Sequence, residues 1–509
     1  MRSPQTILFY WLTLLLKHFF PILALTLALL APRLAITEGL PELGDPSDAA
    51  LSEIQERAIG KRIMVEVRSD RTFIDDAELS DYINALGNRL VAASPGATSD
   101  NRRDFEFFLL NDDSINAFAL LGGFIGVHSG LVLATSNESE LASVMGHEIS
   151  HILQRHQARG MASQKNAALW QLVGLAAAIL ASRSNSSSSS AVTEAAITSS
   201  MALSYQNQLD YSREFEREAD RLGLQVMDRA SFDPQGMATF FERLQRASRY
   251  NDSKAPGYLR SHPLTSERIA DMQDRISTMM PRHAPDSMDY RMARAKLRVM
   301  TSGINEAITF FRAAIAEKTI LRDRADVYGL ALALKRTRDF AGANRELATV
   351  RASGETNPWI ELLAAQIRAD QRQWKEALAI YKNALKQFPD RRALFYGYVD
   401  TLFEAGQTTE GLAAVTERLR NIQDDPKLYD LAAKGYALNN KRLAQHRSLG
   451  ESYYRRGNLI GAIEQLEIAL KARDGDFYEL SGTEARLREF KAELRTRAPV
   501  PGEKRAKEP

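Results

Sequence analysis

Apolar residues recur at helical spacing along most of this chain, and two short stretches show strand character instead. The helical spacing predicts amphipathic helices over 49–67 and 77–93. Aromatic and β-branched residues over 104–110 and 123–128 predict strands, and Gly122-Gly123 marks a turn between them. A small β-structure flanked by helices is therefore expected in the first third of the chain.

The next predicted helix runs from about Asn137 through Arg155. Ser136 and Asn137 stand ahead of Glu138 and Glu140, and a capping side chain followed by acids in the first turn is typical of a helix start. This helix contains the stretch VMGHEISHIL, residues 144–153.

Further helices are predicted over 212–229 and near 237–247, separated by a turn at Asp233-Pro234. The segment 278–287 contains two prolines and is interpreted as the hinge to a second domain.

A fifteen-residue apolar stretch, 167–181, is too short to span a membrane and suits a buried or interfacial helix. It leads into the serine-rich segment 184–190, which is expected to be mobile. The two together have two interpretations, a plain insertion loop and a movable cover over a nearby cleft.

From about residue 290 the pattern is continuously helical and repeats internally. Large or polar residues at Phe340, Trp374 and Thr408 are thirty-four apart, and each precedes a small residue three positions on, namely Ala343, Ala377 and Gly411. Further copies are indicated at Ile304/Ala307/Phe311/Ala314 and Leu459/Ala462/Leu466/Ala469, with a degenerate or half-length copy between 408 and 459. The period resembles that of the tetratricopeptide repeat, with four to five units, and an unrelated helical bundle is the alternative.

The N-terminus combines positive charge with apolar residues. Arg2, Lys17 and His18 precede or interrupt an apolar stretch that ends near Ala31. Residues 1–36 are therefore predicted to be a secretory signal peptide or an uncleaved membrane anchor, and both place the rest of the chain outside the cytoplasm.

Charge and composition narrow the chemistry. The 66 Lys+Arg residues nearly balance the 64 Asp+Glu residues, which argues against a protein built to hold nucleic acid. The 509-residue chain has no cysteine, so any metal must be bound by His, Asp or Glu. Its length favours two or more domains.

The stretch VMGHEISHIL supplies a candidate metal-binding motif. His147 and His151 are four residues apart, so both side chains can reach one ion from the same helical face. Glu148 lies beside them, close enough to take a proton from a metal-bound water. His156 lies nine residues after His147, on roughly the opposite face of a continuous helix, and is assigned to structure or solvent.

A second charged helix is ambiguous from its charges alone. The charges of REFEREADRLG, residues 213–223, are typical of a solvated charge cluster. Apolar residues nevertheless follow this string at helical spacing. GHEISH followed by this string resembles the HtpX-like and CAAX-processing zinc metallopeptidases, which are gluzincins. The resemblance implies that Glu216 is the third ligand of one Zn²⁺ per chain. It also implies that Asp220 bonds a ligand histidine or takes part in proton delivery.

The segment NAFALLGG, residues 116–123, is similar to the NAFALPGG segment of the same family. The resemblance implies that an edge strand near the zinc pairs with extended substrate, and 116–127 is the candidate. The predicted substrate-binding residues are Asn116, Ala117, Phe118 and Gly123.

His262-Pro263 resembles the start of a family segment of the form HP-x-x-x-x-R, which ends here at Arg268. Three roles stay open for His262: a fourth, regulatory zinc ligand that keeps the enzyme latent, an oxyanion stabiliser, and a cap for the helix that begins near Thr265.

Together these observations predict a mainly α protein with an α+β gluzincin metallopeptidase domain followed by an α-helical tetratricopeptide-repeat solenoid. The predicted boundaries are 49–280 for the peptidase, 290–490 for the repeats and 491–509 for a basic tail expected to be disordered.

The family resemblance implies a zinc endopeptidase of the periplasm that degrades misassembled outer-membrane proteins and assists their assembly. Unfolded clients and the assembly machinery would be held by the repeats, with peripheral membrane contact through 167–181 and no nucleic acid. The alternative is a chaperone or assembly scaffold with a mostly latent metal site. An integral-membrane prenyl-processing protease would need several spanning segments, and only the leader approaches that length.

Overall fold

The computed structural model describes residues 51–95, 104–163, 213–249, 257–317, 323–352 and 356–496. The predictions for 1–36, 167–181 and 184–190 fall outside these residues. All described residues belong to one unit, Pro46–Pro509. Among them, no helix is both long and apolar enough to cross a bilayer.

The described part of the chain starts with two helices, and side-chain caps begin both. Ser52 and Gln55 form a capping box at the start of α1, Glu53–Ser69, and Asp76 caps α2, Ala77–Ala92. The bounds match the predicted helices 49–67 and 77–93 within a few residues, so both predictions are confirmed.

Three short strands form one sheet: β1 (Glu106–Leu110), β2 (Ala117–Leu120) and β3 (Phe124–His128). β3 lies in the centre, parallel to β1 and antiparallel to β2. The segment 116–127, expected to be one edge strand, is therefore a hairpin in which only β2 lies at the edge. Gly122 and Gly123 form its turn with φ of 78° and 90°, a region that favours glycine.

Side chains alternate between the two faces of this sheet. One face packs into the main core through Leu109, Ala119 and Ile125, and the other packs against α1 through Phe108 and Phe118. Because both faces are covered, the strands are apolar at nearly every position instead of alternating with polar residues.

The helix that carries the histidine motif is the centre of this part of the chain. A short helix, α3 (Ser129–Ala134), precedes it, and α4 (Glu138–Leu153) begins at Asn137, whose side chain accepts from the Glu140 N–H at 2.9 Å. Every residue of α4 from Glu138 to Ile152 is buried. The predicted helix 137–155 is thus confirmed, with an earlier end.

That earlier end decides between the two roles expected for His156. Arg155 has a left-handed backbone, φ 52°, and its guanidinium is fixed by an ion pair of 2.9 Å with Glu56. The chain therefore turns before α5, His156–Ser163, and His156 is only 1% exposed. Of the two expected roles, the solvent-facing one is wrong, and the contacts of His156 with His151 and Glu218 agree with the structural one.

In the described residues, four further helices precede the predicted hinge: α6 (Arg213–Arg229), α7 (Gln235–Arg249), α8 (Gly257–Ser261) and α9 (Ser266–Ser277). The segment that follows, expected to be a hinge, is held tightly at its end. Glu138 accepts from the Ser287 N–H at 2.9 Å, and its own N–H donates to Asp286 at 2.7 Å. The start of α4 is thereby bonded to the start of the repeats.

The repeats are an array of helices that follow one another to the end of the described chain. Their bounds are α10 Met288–Thr301, α11 Ile304–Glu317, α12 Arg324–Arg336, α13 Phe340–Arg351, α14 Pro358–Asp370, α15 Trp374–Gln387, α16 Arg392–Glu404, α17 Thr408–Asn421, α18 Pro426–Leu438, α19 Arg442–Arg455, α20 Leu459–Lys471 and α21 Phe477–Thr496. The mainly α prediction is confirmed.

The 34-residue register extends further than the sequence indicated. Helices α13, α15, α17 and α19 begin at 340, 374, 408 and 442. A full helix pair, α18 and α19, therefore fills the interval where a degenerate or half-length copy was expected.

One hydrophobic core runs across the boundary predicted between the two domains, with members from Ile74 to Ile367. Helix α21 continues through Thr496, so 491–496 is helical and not part of a disordered tail. Residues 497–509 lie outside the described chain.

Candidate metal centre

Two glycines bring the histidine helix and the charged helix together. A Cβ on Gly223 of α6 would lie 3.1 Å from the backbone nitrogen of His147, and a Cβ on Gly146 of α4 would lie 3.3 Å from the Gly223 carbonyl oxygen. Both distances are tighter than ordinary packing, so glycine favours this close approach, which places His147 against α6.

The buried face of α6 carries the two predicted acids. Glu216 and Asp220 lie on the same stripe as Gly223 and Val226, and the two acids are 2% and 0% exposed. The solvated-cluster interpretation is therefore wrong for these two residues, although Glu214 of the same helix is exposed.

Four buried side chains, His147, His151, Glu216 and His262, bring one ligand atom each within 4.8 Å of one another. The Nε2 atoms of His147 and His151 are 2.9 Å apart. Glu216 oxygens lie 3.5 Å from His147 Nε2 and 3.4 Å from His151 Nε2. His262 Nδ1 lies 3.3 Å from His147 Nε2 and 2.9 Å from Glu216 Oε1.

These separations suit a zinc ion. Tetrahedral zinc with bonds of roughly 2.0–2.1 Å holds its ligand atoms about 3.3 Å apart, and imidazole with carboxylate is a common zinc donor set. Neither oxygen of the fully buried Glu148 accepts a hydrogen bond of ordinary geometry from the described residues. Buried carboxylate oxygens without such bonds agree with a group outside the chain that completes the site.

The outer nitrogen of His147 faces a carboxylate. Asp220 Oδ1 lies 3.0 Å from His147 Nδ1, and Arg268 holds Asp220 through two contacts of 2.7 and 2.8 Å. Arg268 also reaches Glu216 Oε2 at 2.8 Å. Burial opposes protonation of His147, but Asp220 and Glu216 outweigh it and raise the pKa of His147 to about 9. A carboxylate behind a ligand histidine fixes its tautomer.

Glu148 is placed to exchange protons. Burial raises its pKa, while the neighbouring imidazoles of His262 and His147 lower it. The Ala119 backbone amide also lowers the pKa. A carboxylate that prefers to be neutral in the folded protein is a strong proton acceptor when it is ionised, which is the property a general base needs.

His262 enters the site from the loop after α8. The Tyr258 N–H donates to the Ile115 carbonyl at 3.1 Å, the His262 N–H donates to the Tyr258 carbonyl at 2.8 Å, and the two rings stack 4.7 Å apart. Nε2 of His262 lies 3.4 Å from Glu148 Oε1. Thr265, and not His262, caps helix α9, so the helix-cap role is wrong.

The predicted substrate-binding residues divide between the edge strand and its turn. Ala117 and Phe118 belong to β2, but the Phe118 ring points toward α1 and its core. Asn116 is 2% exposed and its Oδ1 accepts no hydrogen bond from the described residues. Gly123 has Asp104 and Arg57 as neighbours.

Sequence reasoning missed three side chains that support the site. Arg268 is the last residue of the HP-x-x-x-x-R segment, but no role was predicted for it. His156 lies 2.9 Å from His151 Nδ1, and Gln157 donates to the Ala119 carbonyl of β2 at 2.7 Å. The position of Arg268 in the segment was the one signal available for any of them.

Two family models match the chain. The model of peptidase family M48 matches residues 78–276, and a tetratricopeptide-repeat model matches residues 368–435.

Curated relatives extend the similarity over both parts. The beta-barrel assembly-enhancing protease of Escherichia coli (strain K12) is 34% identical over 450 residues, which cover 88% of this chain and 90% of that protein. The putative beta-barrel assembly-enhancing protease of Vibrio cholerae is 38% identical over 281 residues, 55% of this chain and 56% of that protein. The mitochondrial metalloendopeptidase OMA1 of Schizosaccharomyces pombe is 31% identical over 193 residues, 38% of this chain and 52% of that protein.

Proposed function

The chain belongs to peptidase family M48, among the relatives named beta-barrel assembly-enhancing protease, and from this premise we propose that it is a zinc-dependent endopeptidase of the cell envelope. Its proposed task is to degrade misassembled outer-membrane proteins and to assist the assembly of others. The peptidase chemistry is supported above all by one observation, the fully buried Glu148 carboxylate beside four converging ligand atoms.

His147, His151 and Glu216 would hold one Zn²⁺ per chain. When bound, the ion supplies Lewis acidity for the scissile carbonyl and a lower pKa for the attacking water. Asp220 keeps the His147 ring oriented through its Nδ1, and Arg268 keeps Asp220 in place.

Glu148 is the proposed proton carrier. Its carboxylate takes the proton of the attacking water and later delivers it to the nitrogen of the leaving amine. The apolar surroundings of α4 exclude bulk water, so the transferred proton stays between the two reacting groups.

Strand β2 is the proposed substrate cradle. It lies at one edge of the described sheet, and its other side is paired with β3. An extended client segment can add to such an edge through backbone hydrogen bonds, which suits a protease that accepts many unfolded sequences. Within the predicted set, Asn116 and Ala117 are the residues that fit this role.

His262 is the proposed regulatory ligand. Its Nδ1 lies among the ligand atoms and its Nε2 faces Glu148, so the ring occupies the position that water and a substrate carbonyl need. Movement of the loop after α8 would open the site.

The repeats are the proposed holder of clients and of the outer-membrane assembly machinery. Helical repeat arrays bind extended segments along their concave surfaces. The periplasm is the proposed compartment because the leader at 1–36 is typical of export, and 167–181 is the proposed peripheral membrane contact.

The function is tested by Glu148→Gln in the full-length protein. The amide keeps the shape but cannot carry the proton, so cleavage of casein should fall at least about 100-fold while metal content stays at the wild-type level. Glu214→Gln, an exposed position of α6, is the matched control and should cleave normally. Undiminished cleavage by Glu148→Gln would exclude the proposed chemistry.

The rival function, a chaperone or scaffold with a latent metal site, makes a different prediction for the same variant. Glu148→Gln would then restore outer-membrane assembly in cells that lack the protein. His262 inside the ligand set favours this rival as a second activity of the same chain.

A further inference from the structure

His156 lies behind a metal ligand without belonging to the ligand set. Its Nδ1 is 2.9 Å from Nδ1 of His151, and the ring centroids are 4.9 Å apart. His151 uses its other nitrogen, Nε2, toward His147 and Glu216. Both nitrogens of His151 therefore have a defined neighbour.

The tautomers of His156 and His151 follow from Glu218, the carboxylate beside the other nitrogen of His156. Nε2 of His156 lies 3.1 Å from Glu218 Oε2, and a carboxylate oxygen accepts, so this nitrogen carries the hydrogen. Nδ1 of neutral His156 is then an acceptor, and it takes the hydrogen on Nδ1 of His151. The lone pair of His151 is thereby left on Nε2, the atom that points into the site.

The ring of His156 is fixed in place by stacking. Its centroid is 4.4 Å from that of Phe215, with 6° between the planes, and the guanidinium of Arg159 covers Phe215 at 4.7 Å. Arg159 also bonds Glu218 Oε2 at 3.0 Å. Phe215 and Glu218 flank Glu216 on α6, so the helix that supplies the third ligand also holds His156.

We propose that His156 is a positioning residue for the metal centre, which accepts the Nδ1–H of His151 and, held by Glu218, fixes the tautomer and orientation of that ligand. It does for His151 what Asp220 does for His147. The inference rests on the proposed metal centre. Removing such a partner typically lowers metal affinity 10- to 100-fold.

The test compares full-length variants by zinc affinity in chelator competition. His156→Phe keeps a ring against Phe215 but removes the acceptor, and it should bind zinc at least about 10-fold more weakly than wild type. His156→Gln offers an amide oxygen to His151 and should recover part of that loss. Glu218→Ala, on a half-buried side chain at the surface, should give a smaller loss in the same direction.

A second measurement separates positioning from folding. The cobalt-substituted protein should show a visible absorption spectrum that changes in His156→Phe and returns toward wild type in His156→Gln. His446→Phe, a histidine of α19 that bonds Gln465, is the control and should match wild type in both measurements. If His156→Phe does not fold, the zinc affinity of Glu218→Ala decides whether the positioning role stands.

Zinc affinity within twofold of wild type for His156→Phe and Glu218→Ala, with an unchanged cobalt spectrum, would overturn the positioning role alone. Wild-type protein that binds no zinc would instead overturn the proposed metalloprotease function. The two failures are therefore distinguishable.

Discussion

At the scale of single residues, His262 touches both functional parts of the site through one ring. Its Nδ1 is 2.9 Å from Glu216 and its Nε2 is 3.4 Å from Glu148. A ring that contacts the proposed metal ligands and the proposed proton carrier together can block both at once.

His262→Ala should therefore bind zinc about 10-fold more weakly, because a ligand is lost, and should cleave casein faster, because the site is open. Zinc affinity and initial cleavage rates measure the two effects. His283→Ala, an exposed histidine, is the control. Slower cleavage would favour the oxyanion role, and no change in either quantity would exclude contact with the metal.

Patterns in the sequence predicted part of the candidate site. They missed the residues whose contacts depend on how distant segments pack. His147 and His151 follow from helical spacing, and Glu216 came from family resemblance. The contact of Arg268 with Asp220 joins α9 to α6 across 48 residues, so no local spacing predicts it. The sequence left His156 between structure and solvent, because spacing alone continues the helix that the left-handed backbone of Arg155 ends.

At the scale of elements, the crossing of α4 and α6 sets the geometry of the candidate metal centre. The two helices meet where neither has a side chain, at Gly146 and Gly223. The separation of His147 from Glu216 and Asp220 therefore depends on backbone contact rather than on adjustable side chains.

Gly223→Ala should push the helices apart, because the added Cβ would lie 3.1 Å from the His147 nitrogen. We expect a loss of about 1–3 kcal/mol in the free energy of unfolding and at least a 10-fold loss of zinc affinity. Urea unfolding and chelator competition measure them. Gly303→Ala, whose Cβ would meet only the Glu306 side chain at 3.9 Å, should leave both unchanged. A Gly223→Ala protein with wild-type zinc affinity would show that the site tolerates a wider crossing.

Most helices were predictable because the spacing of their apolar residues and their capping residues indicate the same bounds. The start of α4 at Asn137 and the 34-residue register of the repeats were both predicted from sequence. The copy at Arg442 was missed because Gln445 stands where Ala343, Ala377 and Gly411 supply a small residue. The pairing order of the strands was also missed, since it depends on packing between distant segments.

At the scale of the whole molecule, ion pairs join the peptidase helix α2 to the repeats. Lys296 of α10 lies 2.6 Å from both Asp76 and Glu78, and Arg392 of α16 pairs with Asp81. One cation thus faces two carboxylates at a place where the Glu78 side chain is only 10% exposed. Burial raises the pKa of Glu78 to about 7, Asp76 acts in the same direction, and Lys296 opposes them.

Glu78 should make the free energy of unfolding fall as pH rises from about 4.5 to 7. In that window the folded protein keeps a proton that the unfolded chain has lost, at a cost of up to about 1.4 kcal/mol per pH unit. The amide of Glu78→Gln is neutral at every pH. The free energy of unfolding of this variant, relative to wild type, should therefore rise by about 2 kcal/mol between pH 5 and 7.5. Denaturant unfolding at several pH values measures the difference.

The control for this prediction is Glu404→Gln, at an exposed acid that ends α16. It should follow the wild-type dependence on pH at every point. A constant difference between Glu78→Gln and wild type would mean that Lys296 keeps Glu78 ionised throughout the range.

The later part of the repeat array contacts α1, the first described helix. Arg68 of α1 donates to the carbonyl of Arg456 at 2.9 Å, and a Cβ on Gly457 would lie 3.3 Å from Val65. The hydrogen bond joins residues 388 positions apart. Contacts of such long sequence separation form late in folding, and chains are synthesised from the N-terminus. The sheet can cover one face of helix α1 early, but the surface around Val65 and Arg68 is covered only after nearly the whole described chain has been made. Until then that surface is open to a chaperone.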